Sequence, residues 1–224
     1  MPKTPYFLTT PIYYVNDAPH IGHAYTSLAC DVLARFKRLD GFDVKFLTGT
    51  DEHGQKVEKS AQAKGIDAQA FTDEVSQKFR DLADHMNFSH DDFIRTTEER
   101  HKLSCTDLWK RIVDRGDIYL DSYGGWYAIR DEAFYGEGEL IDGPDGKKVA
   151  PSGAEVEWVE EPSYFFKLSE WGDRLLEFYE KNPDFIAPKS RLNEVVSFVK
   201  GGLHDLSVSR TTFNWGIPVP DDDE

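Results

Sequence analysis

The sequence predicts an α/β fold: a parallel sheet carrying an inserted, mainly antiparallel module. A β-rich run at residues 6–10, a helical repeat from Ile21 and a second apolar run at 44–48 predict the sheet. Strand, helix, strand in that order is a βαβ unit with a parallel pair, right-handed in nearly every known case. The third observation is a change of texture after Gly116. Residues 119–129 are aromatic and strand-like around Gly124-Gly125, and Gly143-Pro144-Asp145-Gly146 marks a turn between 139–141 and Lys148-Val149.

Taken in order, the first strand ends at Pro11. Ile21, Ala24, Tyr25, Leu28, Ala29, Val32, Leu33 and Phe36 follow the i, i+3, i+4, i+7 spacing of one helical face. That helix should stop near Asp40, with Gly41 available for a left-handed cap. Phe71, Val75, Phe79, Leu82 and Met86 are spaced for another helix, and 92–95 is a short strand. Thr96 and Glu99 have capping-box spacing ahead of a helix through Trp109, Ile112 and Val113 that closes at Gly116. Residues 158–167 add strand to the inserted module. Two helices then follow, one capped by Ser169 around Leu175 and Leu176, one capped by Ser190 around Val195 and Val196 and ended by Gly201-Gly202. Residues 206–209 are strand-like. No internal repeat or low-complexity segment is present.

The length of 224 residues permits a real core, since a chain of this size can bury roughly 70% of its unfolded surface. No apolar run is long enough to span a bilayer and no signal-peptide pattern is present, so a soluble, cytoplasmic chain with no membrane partner is expected. Two distant cysteines, Cys30 and Cys105, argue against a disulfide framework or a thiolate zinc site. Cys30 falls on the apolar helical stripe and reads as a small core residue. A formal net charge of -15 weighs against broad, non-specific nucleic-acid binding, and Arg35, Lys37 and Arg38 read as a solvated helix face. The acidic end, Asp221 to Glu224, follows Ile-Pro-Val-Pro with no closing element, as expected of an interrupted chain.

In open parallel sheets ligands sit beyond the carboxyl ends of the strands. Two stretches occupy that position: Pro11 to His23, and Thr48-Gly49-Thr50-Asp51-Glu52-His53-Gly54. If their strands are adjacent, the two loops face one crevice. A helix starting near His20 would aim main-chain N–H groups at it, an anion site worth about 0.3–1 kcal/mol per exposed charge. Gly22 removes a side chain where a flat ring or a phosphate must approach. His20 and His23, three apart, can project on one side of the first turn and donate to phosphate oxygens as charge builds there. Capping or surface histidines are the plainer alternative. A zinc pair would need a third ligand, which nothing signals. Neither a Walker A pattern nor G-x-G-x-x-G occurs.

His20-Ile21-Gly22-His23 resembles the HIGH signature of class I aminoacyl-tRNA synthetases. Pro11-Ile12-Tyr13-Tyr14-Val15-Asn16-Asp17-Ala18-Pro19 before it, Gly49-Thr50-Asp51-Glu52-His53-Gly54 after it, and Leu206-Ser207-Val208-Ser209-Arg210 with Trp215-Gly216-Ile217-Pro218 are similar to the methionyl-tRNA synthetase family, over residues 6–220. The resemblance implies a Rossmann-like nucleotide-binding sheet, activation of methionine by ATP with Mg2+, and transfer to tRNA(Met). It places His20 and His23 at the ATP phosphates as catalytic groups and Gly22 under the adenosine. It places Asp51 on the methionine ammonium, with Pro11, Ile12 and Tyr14 lining the amino-acid pocket. Read from the residues alone, Asp51 could equally cap a helix, and Tyr13 and Tyr14 could be core aromatics.

The resemblance also divides the chain: 1–116 as the first half of the catalytic domain, 117–204 as a connective insertion and 205–224 as the start of the return. Residues 119–167 contain no cysteine, unlike the zinc knuckles of many relatives, so a metal-free module held by Trp126, Tyr127, Phe134, Tyr135 and Trp158 is expected. The family's lysine-rich KMSKS loop and anticodon-binding domain are not in this sequence, so these 224 residues alone should be inactive or nearly so. Two alternatives stand beside this reading: a nucleotidylyltransferase with an HxGH motif, and a non-catalytic fragment that binds ATP or a partner chain.

Overall fold

The computed structural model describes residues 3–131, 133–143 and 146–222. They form two compact units. One comprises residues 3–106, 129–131 and Phe213–Pro218; the other comprises Asp107–Ala128, 133–212 and 219–222.

The first unit is built on β1 (Pro5–Thr9), β2 (Tyr13–Tyr14), α1 (Ile21–Leu39), β3 (Asp43–Asp51), α2 (Gln55–Lys64), α3 (Ala68–His85), β4 (Asp92–Arg95) and the start of α4 (Glu99–Asp114). All strand pairs in its sheet are parallel, as the βαβ pattern predicts. β3 is central. Leu47 lies opposite both Thr9 and Asp92, and Thr50 opposite both Tyr13 and Arg95. So β1 and then β2 run along one edge of β3, and β4 along the other. The chain breaks pairing at Pro11 and resumes beside the tip of β3.

α1 has the expected bounds, and Gly41 takes φ +90° beyond its end. Its buried face is not the apolar stripe. Ser27, Asp31 and Ala34 are buried, while Ile21 is 87% exposed, Tyr25 75%, Val32 60% and Phe36 57%. Polar contacts select the inward face. Tyr13 Oη and Ser27 Oγ are 2.8 Å apart, and Asp31 accepts the main-chain N–H and the hydroxyl of Ser89, each at 2.6 Å. Cys30 is only half-buried, with its Sγ 3.7 Å from the Thr9 carbonyl. The basic cluster is a solvated face at Arg35, which stays exposed, but each member also has a partner: Arg35 pairs with Asp31 at 2.7 Å, Arg38 with Asp91 at 2.8 Å, and Lys37 lies 4.3 Å from the Phe42 ring centroid.

α3 buries Phe71, Val75 and Phe79 as its spacing predicts, and Asp67 caps it by accepting the Gln69 N–H at 2.8 Å. Those residues pack with Val15, Val57 and Phe93 into the core of the unit. α2 and β2 were not legible in the sequence. α2 buries only Val57 and Ala61, too few to make a period, and β2 is two residues long. Thr96 does not cap α4. Its hydroxyl accepts the Glu52 N–H at 2.8 Å, tying the end of β4 to that of β3.

The second unit is antiparallel where stranded. β10 (Leu206–Ser207), β9 (Glu157–Phe166), β5 (Ile118–Ala128) and β6 (Ala133–Tyr135) form one sheet in that order. β5 and β9 pair from Ile118↔Phe166 to Tyr127↔Glu157. Trp126 and Trp158 meet edge to face at 5.6 Å, and Tyr127 and Phe134 lie 4.8 Å apart. Such pairs contribute about 0.5–1.5 kcal/mol each beyond area burial. β7 (Ile141–Asp142) and β8 (Lys148–Val149) form a hairpin whose Gly143 N–H donates to the Lys147 carbonyl at 2.8 Å; Pro144 and Asp145, the predicted turn centre, lie outside the described residues, as do Asp223 and Glu224 of the acidic end.

Two predicted caps in this unit are corrected. Ser169 sits inside a 3₁₀ turn, Leu168–Trp171, that precedes α5 (Gly172–Lys181), and its N–H and hydroxyl donate to Asp205. Ser190 lies within α6 (Lys189–Lys200), whose N-cap is Pro188. Asp205 also accepts the Tyr119 hydroxyl at 2.8 Å, so one carboxylate holds both the turn and β5. Among the described residues no helix is long and apolar enough to cross a membrane.

Candidate active site

Of the predicted site residues, Tyr14 and Asp51 end β2 and β3, and His20 and His23 stand at the start of α1 beyond β2. Tyr13 is the hinge of the arrangement. Its ring stacks on Phe79 at 5.6 Å and meets the His23 ring edge-on at 4.9 Å, and burial pushes its hydroxyl pKa up. Tyr13 is therefore a core aromatic that also carries the helix start of α1. Through the pairing Tyr13↔Thr50 and Tyr14↔Asp51, the same two residues carry the tip of β3.

His20 and His23 form a reciprocal cap. His20 Nδ1 accepts the Gly22 N–H at 3.1 Å, and His23 Nδ1 accepts the His20 N–H at 3.0 Å. The rings lie 3.8 Å apart. The capping alternative is thus real, and it has a chemical consequence. A main-chain N–H can only donate, so each Nδ1 offers its lone pair and the ring proton of each neutral imidazole sits on Nε2. Burial, reinforced by neighbouring His20, lowers the His23 pKa and favours that neutral form.

The structure corrects one expectation here. The N–H groups of Gly22, His23 and Ala24 are already bonded to His20, so the helix start offers ring donors rather than a row of unused main-chain donors. Gly22 has an internal reason for being glycine: a Cβ there would stand 2.9 Å from His20 Cε1.

Asp51 ends β3, and its carbonyl accepts the Val15 N–H at 3.2 Å. It does not cap α2, whose N-cap is Gly54 with no side-chain bond. Thr50 and Glu52 lie on one side of the strand, because the Thr50 hydroxyl donates to Glu52 Oε1 at 2.6 Å. Alternation turns Asp51 to the other side. Gly49, two residues earlier, lets β4 come close: a Cβ there would lie 2.0 Å from the Ile94 carbonyl oxygen. Pro11 and Ile12 lie in the exposed link between β1 and β2, and Tyr14 is half-buried with Lys56 Nζ 5.7 Å from its ring centroid.

Three residues that lie in the stretches carrying the resemblance were given no role by sequence reasoning. Glu52 is wholly buried, and Arg95 grips it with two bonds of 2.7 and 2.9 Å. His53 stands 5.5 Å from the Trp215 ring; burial, with the nearby Lys102 and His101, lowers its pKa to about 4 against the opposing pull of Glu52. Trp215 Nε1 donates to the Glu52 carbonyl, and the Trp215 carbonyl accepts the Gly54 N–H at 3.0 Å. No spacing rule links position 215 to position 52. Among the described residues no three potential metal ligands are grouped to share an ion.

A strand-tip crevice flanked by paired histidines at a helix start, with an acid on the next strand, is the architecture of a nucleotide-binding α/β enzyme. Residues 6–224 match the family model described as tRNA synthetases class I (M), and the chain belongs to that family. This sets the nucleotidylyltransferase alternative aside. The chain is 67% identical over 219 residues to a methionine–tRNA ligase of Rickettsia bellii and 56% identical over 224 residues to one of Mesorhizobium japonicum, covering 42% and 43% of those proteins and 98% and 100% of itself. It is also similar to a solved Mycobacterium tuberculosis methionyl-tRNA synthetase in complex with methionyl-adenylate, at 52% identity and a TM-score of 0.92, covering 97% of this chain and 43% of that one. The chain therefore spans less than half the length of the relatives it matches.

Proposed function

We propose that this chain is part of a cytoplasmic methionine–tRNA ligase, which activates methionine with ATP and Mg2+ and passes it to tRNA(Met). In the activation step a methionine carboxylate oxygen bonds to the α-phosphorus of ATP while the bond to pyrophosphate breaks. His20 and His23 act as catalytic donors to phosphate oxygens through Nε2–H, where negative charge develops. Gly22 underlies the adenosine. Asp51 holds the methionine ammonium through charge-assisted hydrogen bonds, and Pro11, Ile12 and Tyr14 line the amino-acid pocket. A thioether suits a soft, aromatic wall of this kind.

The observation that carries the reading is the reciprocal His20–His23 cap: it leaves both rings with a proton on Nε2 and anchors them, through Tyr13, one residue from the Asp51 pairing position. The division into a catalytic first half at 1–116, a connective insertion at 117–204 and a return at 205–224 belongs to the same proposal. Residues Phe213–Pro218 support a return by joining the first unit. We infer that the insertion is held without zinc by its aromatic pairs; stoichiometric zinc by elemental analysis would contradict this. Methionine-dependent ATP–pyrophosphate exchange tests the function, measured on the protein that carries this chain together with the remainder its relatives possess. Residues 1–224 alone are expected to show little or no exchange.

A further inference from the structure

Glu52 spends every polar atom it has. Its Oε1 accepts Thr50 Oγ1 at 2.6 Å and Arg95 Nε at 2.7 Å, and its Oε2 accepts Arg95 Nη2 at 2.9 Å and the Thr97 hydroxyl. Its N–H donates to Thr96 Oγ1 at 2.8 Å and its carbonyl accepts Trp215 Nε1. Arg95 is further fixed by Asp73 at 2.5 Å. The residue before Glu52 is Asp51, whose carbonyl is held by Val15 on the opposite edge of β3. The Asp51–Glu52 peptide is therefore gripped on both edges, by Val15 of the β2 side and by Thr96 of the β4 side. The Thr50 carbonyl also accepts the Thr96 N–H at 3.2 Å, so the planar peptides on both sides of Asp51 are held, and with them the direction in which its Cβ leaves the strand.

We propose that Glu52 is a positioning residue for amino-acid binding: with Arg95 and Thr96 it locks the strand tip so that the Asp51 carboxylate is aimed at the substrate ammonium. This rests on the assignment of Asp51 made above. Stability alone is a poor reason for the pair, because buried ion pairs are often replaceable by apolar groups at no loss. A locked strand tip is what an apolar replacement could not supply, since it cannot bind Thr50, Thr97 and Arg95 at once.

The test is steady-state pyrophosphate exchange on the full-length protein for four variants, with melting temperatures measured in parallel. Glu52→Gln keeps the volume and removes the charge. Thr96→Val removes only the hydroxyl that holds the Glu52 N–H, and serves if Glu52→Gln fails to fold. Both are expected to raise the methionine KM, by tenfold or more and by about threefold respectively, with the ATP KM changed less than twofold. Asp51→Ala calibrates the complete loss. Phe46→Leu, a buried substitution five residues back along β3 from Asp51 and outside the core cluster that holds Tyr14 and Trp215, should lower the melting temperature with both KM values unchanged. A methionine KM unmoved in Thr96→Val and in folded Glu52→Gln, or one that moves in step with the ATP KM, would overturn the positioning role. Absence of methionine-dependent exchange in the unaltered protein would instead remove the assignment on which it rests, and the inference with it.

Discussion

His23 caps the residue that caps its own helix. Its Nδ1 accepts the His20 N–H at 3.0 Å, while His20 Nδ1 accepts the Gly22 N–H at 3.1 Å. Structural and chemical duties are thus divided between the two nitrogens of each ring, one taken by the fold and one carrying a donatable proton.

That division separates stability from rate. His23→Ala should cost about 0.5–2 kcal/mol of stability as a lost cap and slow adenylate formation about 10²–10³-fold as a lost donor. His23→Glu restores a capping-box acceptor but brings no proton and adds like charge near phosphate. Its melting temperature should recover while its rate does not. Thermal melts beside pre-steady-state adenylate formation measure both; a rate that recovered with the melting temperature would make the ring a cap and nothing more.

Asp51→Ala should weaken methionine binding about 10–100-fold, the equivalent of one charged hydrogen-bonding partner, with ATP binding unchanged. Isothermal calorimetry on the full-length protein measures this. Unaltered methionine affinity would remove Asp51 from the pocket.

His53 makes stability depend on pH. Its pKa falls from 6.5 in the unfolded chain to about 4 when folded, chiefly by burial, with Lys102 and His101 nearby and Glu52 opposing them. A depressed histidine means that the unfolded state binds the extra proton, so stability drops as pH is lowered from about 6.5 toward 4. Melting temperatures across that range should decline in the unaltered protein and decline less in His53→Gln. Parallel curves for the two would place the acid sensitivity of this range in another group; Asp31 and Asp73, whose pKa values are lowered, lose their contribution chiefly at more acid pH.

Ile21, Tyr25, Val32 and Phe36 leave an apolar face of α1 open in residues 1–224. Contiguous faces of this kind bind hydrophobic dyes and self-associate. Replacing Val32 and Phe36 together by lysine should reduce dye fluorescence and shift sedimentation toward a single species, without lowering the melting temperature. Loss of folding in that variant would show the face to be internally packed.

The sheet was legible because β1, α1, β3 and β4 each carry enough period or β-branched density to be read locally. The direction of α1 was not, because periodicity shows that a helix has an apolar side but not which side its own chain covers; Asp31 and Ser27 decided that through partners at 89 and 13. His20, His23 and Asp51 stood out through motif and strand-end position. Glu52 and Trp215 lie in the same quoted stretches, but their roles were not legible, since these rest on bonds across 43 and 163 residues of sequence that no local pattern encodes.

The most direct measurement is ATP–pyrophosphate exchange by the full-length protein with each amino acid in turn, followed by the same assay on His23→Ala and Asp51→Ala. Exchange that depends on methionine, with turnover lost in the first variant and methionine KM raised in the second, is the predicted result. Exchange indifferent to the amino acid supplied, or insensitive to both substitutions, would contradict a shared crevice for phosphate and amino acid at the tips of β2 and β3.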